Sequence, residues 1–332
     1  MIQKLIPAFI ALSTAVLWSA EQPHHTLGET WEPAICFSVY RDGQSPVTQS
    51  YPTTEEISAD LQLIGQHFSL IRLYDCSEYA VRLLETIRAE QLPFKVLLGA
   101  SLDAEFANPK NSWTDWAGVN FEKNKTHNDE ETDRLITLAN EYSDIITAVA
   151  VGNESLVDWT DHPVTPERSL ELVLKVKHRV IQPVTVCDNW VPWWDGLDGL
   201  AEAVDFISLH TYPQWEGKSV EQALDYSKAN YYTVRAAHPG KKVIITEAGW
   251  CTTSDHPQML PGAATEENQT KYIGKLLDWA QADQITLFLF EAVDENWKGS
   301  ESRTEPEKHW GLYRSDRTPK KVVESLRKLT EE

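Results

Sequence analysis

Two glutamates at the ends of strand-like runs are the residues of this sequence best suited to acid and nucleophile chemistry. The run VIIT at 243–246 leads directly into Glu247, and the run IITAVAV at 145–151 leads through Gly152 and Asn153 into Glu154. Runs rich in β-branched residues are typical of strands buried on both faces. Two carboxyl groups at strand ends can cut a glycosidic bond, one as the acid and the other as the nucleophile. For either residue alone, the alternative is a solvated glutamate at the end of a strand.

The strands that carry these glutamates belong to a regular alternation of strand-like and amphipathic helical segments. Thr53 before two glutamates, and Thr165 before Pro166, are typical helix-start signals. Eight strands alternating with helices predict an α/β fold, a (β/α)8 TIM barrel in a single domain. The predicted strands are 34–40, 69–75, 94–101, 145–154, 183–189, 204–212, 243–250 and 285–295. The predicted helices are 54–67, 77–90, 129–142, 166–180, 197–203, 220–237, 264–280 and 319–329.

The two glutamates end the fourth and the seventh predicted strands, so both should lie on the rim where the active sites of such barrels form. We expect Tyr212 to steady Glu247. Asn153 either binds a sugar hydroxyl beside the reacting carbon or only satisfies the end of its strand. Because a rim residue bears little packing, Glu247→Ala is expected to abolish turnover without unfolding the protein. The residues predicted to contact or support the substrate near strand ends are Tyr40, Arg72, Tyr74, Asn153 and Tyr212.

Tryptophans give a second signal for a sugar ligand. The chain has 13 of them, and flat aromatic faces stack on the apolar faces of sugar rings. Three fall within 190–194, and two more lie in the long polar connection 102–129, which is long enough to be functional. The alternative is that most of them fill the core. The three tryptophans at 190–194 are predicted to line a sugar cleft. The tryptophans predicted to bind the substrate or support its site are Trp190, Trp193, Trp250 and Trp297.

Charge and composition narrow the classes of partner. The net charge of −20 argues against nucleic acid or an anionic membrane surface, because like charges repel, and it suits a neutral substrate. No set of histidines, cysteines and carboxylates has the spacing of a metal site, so no metal and no organic cofactor are expected. The four cysteines show no CxxC spacing. Buried free thiols are favoured for them, although three pairings remain open if all are bridged.

The N-terminal segment precedes the predicted barrel and has a different sequence character. Residues 1–20 contain an early lysine followed by an apolar stretch, as in a signal peptide. An uncleaved N-terminal anchor is the alternative, although the apolar stretch is shorter than the roughly 20 residues of a membrane span. Residues 21–33 are predicted to be an extended lead-in and residues 34–332 the catalytic domain. We therefore expect a monomer that is secreted, periplasmic or cell-wall associated, with no membrane partner beyond that anchor.

Four motifs stand in the order found in glycoside hydrolase family 17, and the sequence from the lead-in onward resembles this family throughout. That family contains the plant β-1,3-glucanases, fungal cell-wall glucanases and transglycosylases, and bacterial relatives. Two departures are visible: Cys251 stands where the family usually has proline, and the second strand continues into Asp75 and Cys76. The motifs are VGNE at 151–154, TEAGW at 246–250, DENWK at 294–298 and EKHWGLY at 307–313.

The resemblance implies a retaining mechanism on a TIM barrel, with Glu154 as the acid/base and Glu247 as the nucleophile. It also implies that Glu295, Lys298 and Glu307 are supporting charged residues, with Lys298 offsetting the negative charge around Glu247. The implied activity is a double displacement that cleaves internal bonds of β-1,3-glucan, an oligosaccharide or polysaccharide partner. Three alternatives remain open: a β-1,3-glucan transglycosylase or branching enzyme on the same site, a retaining β-1,4-glycanase, and a non-catalytic cell-wall carbohydrate-binding protein.

Overall fold

The computed structural model describes residue 27 and residues 31–329 of the 332-residue chain. The predicted signal peptide or anchor at 1–20 lies outside the described residues, as does most of the lead-in at 21–33. Within residue 27 and residues 31–329, every helix is too short or too polar to cross a lipid bilayer.

Eight strands form a closed parallel barrel in chain order, which confirms the predicted fold. Each strand pairs with the next, and the ring closes where Ala34 of the first strand meets Phe288 of the last. Parallel strands joined by helices all end at the same edge of the barrel. The strands are Pro33–Cys36 (β1), Leu70–Leu73 (β2), Lys95–Ala100 (β3), Ile146–Asn153 (β4), Val184–Asn189 (β5), Ile207–Thr211 (β6), Val243–Ala248 (β7) and Leu287–Leu289 (β8).

Helices follow the strands and cover the outside of the barrel. The Thr53 hydroxyl accepts from the backbone N–H of Glu56 in a capping box, and Pro166 opens its helix behind the Thr165 cap, as the sequence predicted. The helices are Thr54–Ile64 (α1), Glu78–Glu90 (α2), Phe121–Glu141 (α3), Pro166–Lys177 (α4), Trp190–Trp194 (α5), Asp198–Ala203 (α6), Val220–Ala237 (α7), Glu266–Ala282 (α8) and Lys321–Leu329 (α9), with a 3₁₀ turn at Pro306–Lys308.

Three elements differ most from the sequence prediction, and several other ends differ by a few residues, as at β1, which ends at Cys36 rather than at residue 40. Helix α3 begins at Phe121 rather than at residue 129, because the Asn120 side chain caps it by accepting from the N–H of Lys123. The tryptophan-rich segment predicted as a cleft loop is helix α5, which the Asn189 side chain caps. Strand β8 ends at Leu289 instead of residue 295, because Glu291 and Asp294 donate to carbonyls of the segment 310–313 rather than to the neighbouring strands.

Alternate residues of each strand face the inside of the barrel and the surrounding helices. Ala34, Cys36 and Ile244 pack in the interior cluster, whereas Ile35 and Ile245 pack in the cluster between strands and helices. All four cysteines are buried as free thiols. Towards the carboxyl ends of the strands, the inward positions become polar, as at Arg72 and His210, and this change in character marks the site.

Candidate active site

A cavity of about 780 Å³ opens at the carboxyl ends of the strands. Glu154 and Glu247, which end opposite parts of the ring, both line it. A concave site of this size with a few converging polar groups is the usual form of a small-ligand site. The predicted residues that line the cavity are Tyr40, Tyr74, Asn153, Glu154, Tyr212, Glu247, Trp297, Lys298 and Glu307.

Glu247 lies near the end of β7, where charged and hydroxyl side chains donate hydrogen bonds to it. The Arg72 guanidinium donates to its Oε1 at 2.6 Å, and the Tyr74 hydroxyl donates to the same oxygen at 3.0 Å. The Tyr212 hydroxyl donates to Oε2 at 2.5 Å. Burial alone would raise the pKa of Glu247, but the positive charges of His210 and Arg72 and the tyrosine hydroxyls hold it below its usual value. Glu247 is therefore an ionised carboxylate, as a nucleophile must be.

Glu154 reaches the cavity from an irregular end of β4. The pairing of β4 with β5 shifts register between Ala150 and Asn153. Gly152 has φ +93° and Glu154 has φ +46°, and both values lie in the left-handed region. The Glu154 side chain is 25% exposed, whereas that of Glu247 is 6% exposed. The two carboxylates thus differ in environment, which is the usual basis for dividing acid and nucleophile roles.

His210 lies between the two glutamates and was not singled out as a functional residue from the sequence. Its Nδ1 is 2.9 Å from Glu154 Oε1 and 3.5 Å from Glu247 Oε2, and its Nε2 is 3.3 Å from an Arg72 nitrogen. Burial disfavours a charged ring, but the negative charge of Glu247 and the contact with Glu154 outweigh it and raise the pKa of His210 to about 10. The sequence signal was its register, because His210 shares the inward face of β6 with Ser208.

The spacing of the two carboxyl groups bears on the mechanism. One oxygen of Glu154, one of Glu247 and a His210 ring nitrogen all lie within 4.8 Å of one another. Retaining glycosidases hold their carboxyl groups about 5 to 5.5 Å apart, whereas inverting enzymes leave about 6.5 to 9.5 Å for a water molecule. The close approach is the geometry for direct attack on an anomeric carbon, with the second carboxyl group at the departing oxygen.

A second charged cluster surrounds Lys298 in the wall of the cavity. Lys298 Nζ pairs with Glu291 and lies 2.9 Å from Glu295 Oε2. Glu295 also accepts from the Ser38 hydroxyl at 3.0 Å and from the Tyr40 N–H at 2.9 Å. Lys298 therefore offsets the negative charge that gathers at Glu291, Glu295 and Glu307. It does not pair with Glu247, whose direct counter-ion is Arg72.

Several buried carboxyl groups near the site hold protons more tightly than usual, and burial raises the pKa of Glu291 well above its usual value. Burial raises the pKa of Glu307 to about 7, although Lys298 partly offsets it. Burial and the charge of Glu154 raise the pKa of Asp188 to about 7. Glu291 and Asp188 were not identified as site residues from the sequence, because the sequence around an isolated acidic residue does not show whether that residue is buried.

Three predicted aromatic contacts are wrong. Trp193 is fully buried, and its indole N–H donates to the Ser208 carbonyl at 2.9 Å. Trp250 is also fully buried and donates to the Ala263 carbonyl at 3.0 Å. Trp190 packs against the core and does not reach the cavity. The segment 190–194 forms helix α5, in which Trp193 is buried against β6 and the Trp190 indole donates to Tyr226 of α7 at 3.3 Å. Arg72 is fully buried as well, so it supports Glu247 rather than touching sugar.

Other aromatic residues line the cavity in their place. Trp113 and Trp159 lie on the loops after β3 and β4, with 65% and 43% of their surface exposed. Trp215 and Trp310 lie on the opposite side, with ring centroids 6.4 Å apart. Trp310 is fully buried, but the exposed indoles of Trp113 and Trp159 beside a polar cavity suit stacking on sugar rings. Their position on loops at strand ends was the available signal, since such loops carry function in barrels.

A (β/α)8 barrel with two glutamates facing each other across a cavity at the strand ends has the architecture of a glycoside hydrolase. The chain belongs to the BtgE/BtgC glycoside hydrolase domain family, whose model matches residues 34–311. This match confirms the predicted class of enzyme.

Individual relatives carry related names. A protein named glucan 1,3-beta-glucosidase from Schizosaccharomyces pombe is 27% identical over 320 residues, covering 91% of this chain and 88% of the relative. A protein of the same name from Arthroderma benhamiae is 27% identical over 285 residues, covering 80% of this chain and 83% of the relative.

Solved structures share the fold. An endo-laminarinase from Formosa Hel1_33_131 superposes with a TM-score of 0.77 at 26% identity, covering 90% of this chain and 87% of that one. A glycoside hydrolase family 17 β-1,3-glucanosyltransferase from Rhizomucor miehei superposes with a TM-score of 0.69 at 23% identity, covering 87% of this chain and 95% of that one. The second likeness supports the fold alone.

Proposed function

We propose that this protein is a retaining glycoside hydrolase that cleaves internal bonds of β-1,3-glucan. The observation that carries the proposal is the approach of Glu154 and Glu247 to within 4.8 Å across one cavity. The relatives named glucan 1,3-beta-glucosidase and the endo-laminarinase support the choice of linkage. The four sequence motifs support a place in glycoside hydrolase family 17.

The proposed first step forms a covalent glycosyl-enzyme. The ionised Glu247 attacks the anomeric carbon, and the bond from that carbon to the departing oxygen breaks. Glu154, in its protonated form, gives its proton to that oxygen, so the shortened glucan leaves as an alcohol. Arg72, Tyr74 and Tyr212 hold Glu247 in place by the hydrogen bonds described above.

The proposed second step releases the sugar. Glu154, now ionised, takes a proton from a water molecule, whose oxygen attacks the anomeric carbon and displaces Glu247. Two inversions leave the anomeric configuration unchanged, and both glutamates return to their starting states. The same intermediate could pass to a sugar hydroxyl in place of water, which would make the enzyme a transglycosylase. The Rhizomucor miehei glucanosyltransferase, with its similar fold, is the observation that keeps this second candidate.

Product analysis from a defined laminari-oligosaccharide tests these proposals together. Proton NMR during the first turnovers should show the β-anomer of the new reducing end, whereas initial formation of the α-anomer would contradict a retaining mechanism. Carboxymethylcellulose should stay intact under the same conditions, since cleavage would favour a β-1,4-glycanase. Products longer than the substrate would assign transfer as a main activity. Binding of laminarin with products neither shorter nor longer than the substrate would leave only a carbohydrate-binding protein.

Export is proposed on the sequence of residues 1–20 alone, which resembles a signal peptide. N-terminal sequencing of the protein recovered from its native host tests it. A start near residue 21 is expected, and an intact N-terminus in a membrane fraction would favour the anchor. The monomeric state also stays a prediction, which light scattering would test.

A further inference from the structure

The peptide bond that joins Asn153 to Glu154 is held at both of its ends. On one side, the Glu154 N–H donates to the Cys187 carbonyl of β5 at 2.9 Å. On the other side, the Asn153 carbonyl lies 2.7 Å from Nε2 of His162, a residue of the loop between β4 and α4. His162 is not among the residues that line the cavity. The orientation of this peptide is thus fixed partly by a side chain outside the cavity.

The partners of His162 define its charge. Its Nδ1 lies 2.6 Å from Asp161 Oδ1, and its Nε2 faces the Asn153 carbonyl. A carboxylate and a carbonyl can only accept hydrogen bonds, so both ring nitrogens must carry protons. Burial disfavours the charged ring, but the bonds to Asp161 and Asn153 outweigh it and raise the pKa of His162 above its usual value. Asp161 and His162 therefore act as a charged pair whose donor is directed at the peptide before Glu154.

The backbone next to this peptide adopts an unfavourable conformation, so the hydrogen bonds that hold the peptide matter. Glu154 has φ +46°, in the left-handed region, which costs a residue with a side chain roughly 1–2 kcal/mol. Gly152, two residues earlier, has φ +93°, and a Cβ there would approach a Leu102 carbon at 3.0 Å. An ordinary extended backbone at these positions would direct the Glu154 side chain elsewhere. Any loss of the bond at the Asn153 carbonyl should therefore let Glu154 drift.

We propose that His162, held by Asp161, is a positioning residue that keeps the Glu154 carboxyl group directed at the departing oxygen. This inference rests on the proposed role of Glu154 as the acid. His162 contacts the Asn153 peptide directly, whereas Glu247 is held by hydrogen bonds from Arg72, Tyr74 and Tyr212. Loss of His162 leaves those three hydrogen bonds to Glu247 in place, so it should harm proton donation more than nucleophilic attack. A general weakening of the fold would harm both.

The test compares aryl β-glycosides of a laminari-disaccharide whose leaving groups range from activated to poor. The measured quantity is kcat/KM, which reports the first chemical step. His162→Leu should lower it on the order of tenfold to a hundredfold for poor leaving groups, as a small misplacement of a reacting group can. For activated leaving groups, which need no proton, the loss should stay within about threefold. Equal losses across the series would overturn the proposal.

Two further variants separate positioning from structural damage. His162→Gln can still offer an N–H to the Asn153 carbonyl, so it should recover most of the loss seen in His162→Leu. Failure of His162→Gln to do better would overturn the proposal, and this variant also serves if the leucine variant does not fold. His127, paired with Asp103 at 3.0 Å, offers a matched histidine–aspartate pair elsewhere. His127→Leu should leave the leaving-group series unchanged.

Glu154→Ala provides the reference for the series. It should show the strongest dependence on leaving group, and azide should restore turnover of activated substrates with a β-glycosyl azide as product. If Glu154→Ala shows no such dependence, the assignment of Glu154 fails and the role of His162 fails with it. If Glu154→Ala behaves as expected and His162→Leu does not follow it, only the inference about His162 is overturned.

Discussion

The Arg72 guanidinium donates a 2.6 Å hydrogen bond to Glu247, and the two side chains are only 2% and 6% exposed. The same guanidinium also donates to the Asn153 side chain, which precedes Glu154. One buried cation from β2 therefore contacts the ends of both β4 and β7. It holds the proposed nucleophile ionised and ties it to the segment that carries the proposed acid.

Removing this cation should move the pH profile. Arg72 lowers the pKa of Glu247, so Arg72→Met should raise that pKa and shift the acidic limb of kcat/KM to higher pH. Arg72→Lys keeps the charge but cannot bridge two oxygens in the same way, so it should lose activity with a smaller shift. The measurement is kcat/KM against pH for the three proteins. If the acidic limb does not move in Arg72→Met, the group that titrates in that limb is not Glu247.

Replacing Glu247 should cost both activity and stability. Glu247→Gln should lower kcat on the order of 10⁴-fold or more, as loss of a nucleophile does in other enzymes. It also leaves Arg72 buried without its carboxylate partner, a change that typically costs about 3–5 kcal/mol. The sequence predicted that a substitution of Glu247 would abolish turnover without unfolding the protein; because Glu247 is buried, a loss of stability is now expected as well. Thermal unfolding and single-turnover kinetics measure the two effects, and activity near that of the native enzyme would refute the assignment.

The buried Asp188 should make folding stability depend on pH. It accepts from the N–H groups of Leu156 and Asn189 at 3.0 and 2.7 Å, yet burial raises its pKa to about 7. An unfolded aspartate has a pKa of about 3.9. Between about pH 4 and 7 only the folded state holds the proton, so the free energy of unfolding should fall as pH rises. The slope is at most about 1.4 kcal/mol per pH unit.

Asp188→Asn should remove that part of the slope. Urea denaturation at several pH values measures it, with Asp278→Asn, at an exposed position of α8, as the control that should keep the native slope. An unchanged slope in Asp188→Asn would mean that the carboxyl group titrates normally in the folded protein.

Tryptophans at the rim and in the core should respond differently to truncation. Trp159→Ala removes an exposed ring of the cavity, so KM should rise about tenfold, equivalent to about 1.4 kcal/mol, with little change in stability. Trp193→Ala empties a fully buried site and should cost about 3–5 kcal/mol of unfolding free energy. Trp194→Ala, half exposed and outside the cavity, should change neither quantity. A raised KM in Trp194→Ala would restore the sugar-cleft prediction for this segment.

The strands were predictable because β-branched runs and their spacing report burial directly. The eight strand-like runs gave the number of strands. Glu154 and Glu247 follow two of these runs, so both were placed on one edge of the barrel. Strand ends were less predictable. Pairing at the rim depends on neighbouring loops, as at the early end of β8 and the register shift before Asn153.

The site was predictable in its acidic residues and less so in the groups around them. Asn189 caps a short helix, and no spacing of tryptophans distinguishes that helix from a cleft loop before the cap is seen. His210 lies beside Glu247 because β6 pairs with β7 at these two residues, and Arg72 reaches Glu247 from β2 across the barrel. Both residues lie 37 or more positions from Glu247 in sequence, so the sequence alone does not show these contacts. The role of His162 follows from its contact with the Asn153 carbonyl, which the sequence does not show.

The four buried thiols bear on how the protein can be made and handled. Because the ring of strands forms with no covalent link between Cys36, Cys76, Cys187 and Cys251, its folding does not depend on an oxidising compartment. Recombinant production in a reducing bacterial cytoplasm, with reductant kept through purification, is therefore the natural route to material for these experiments.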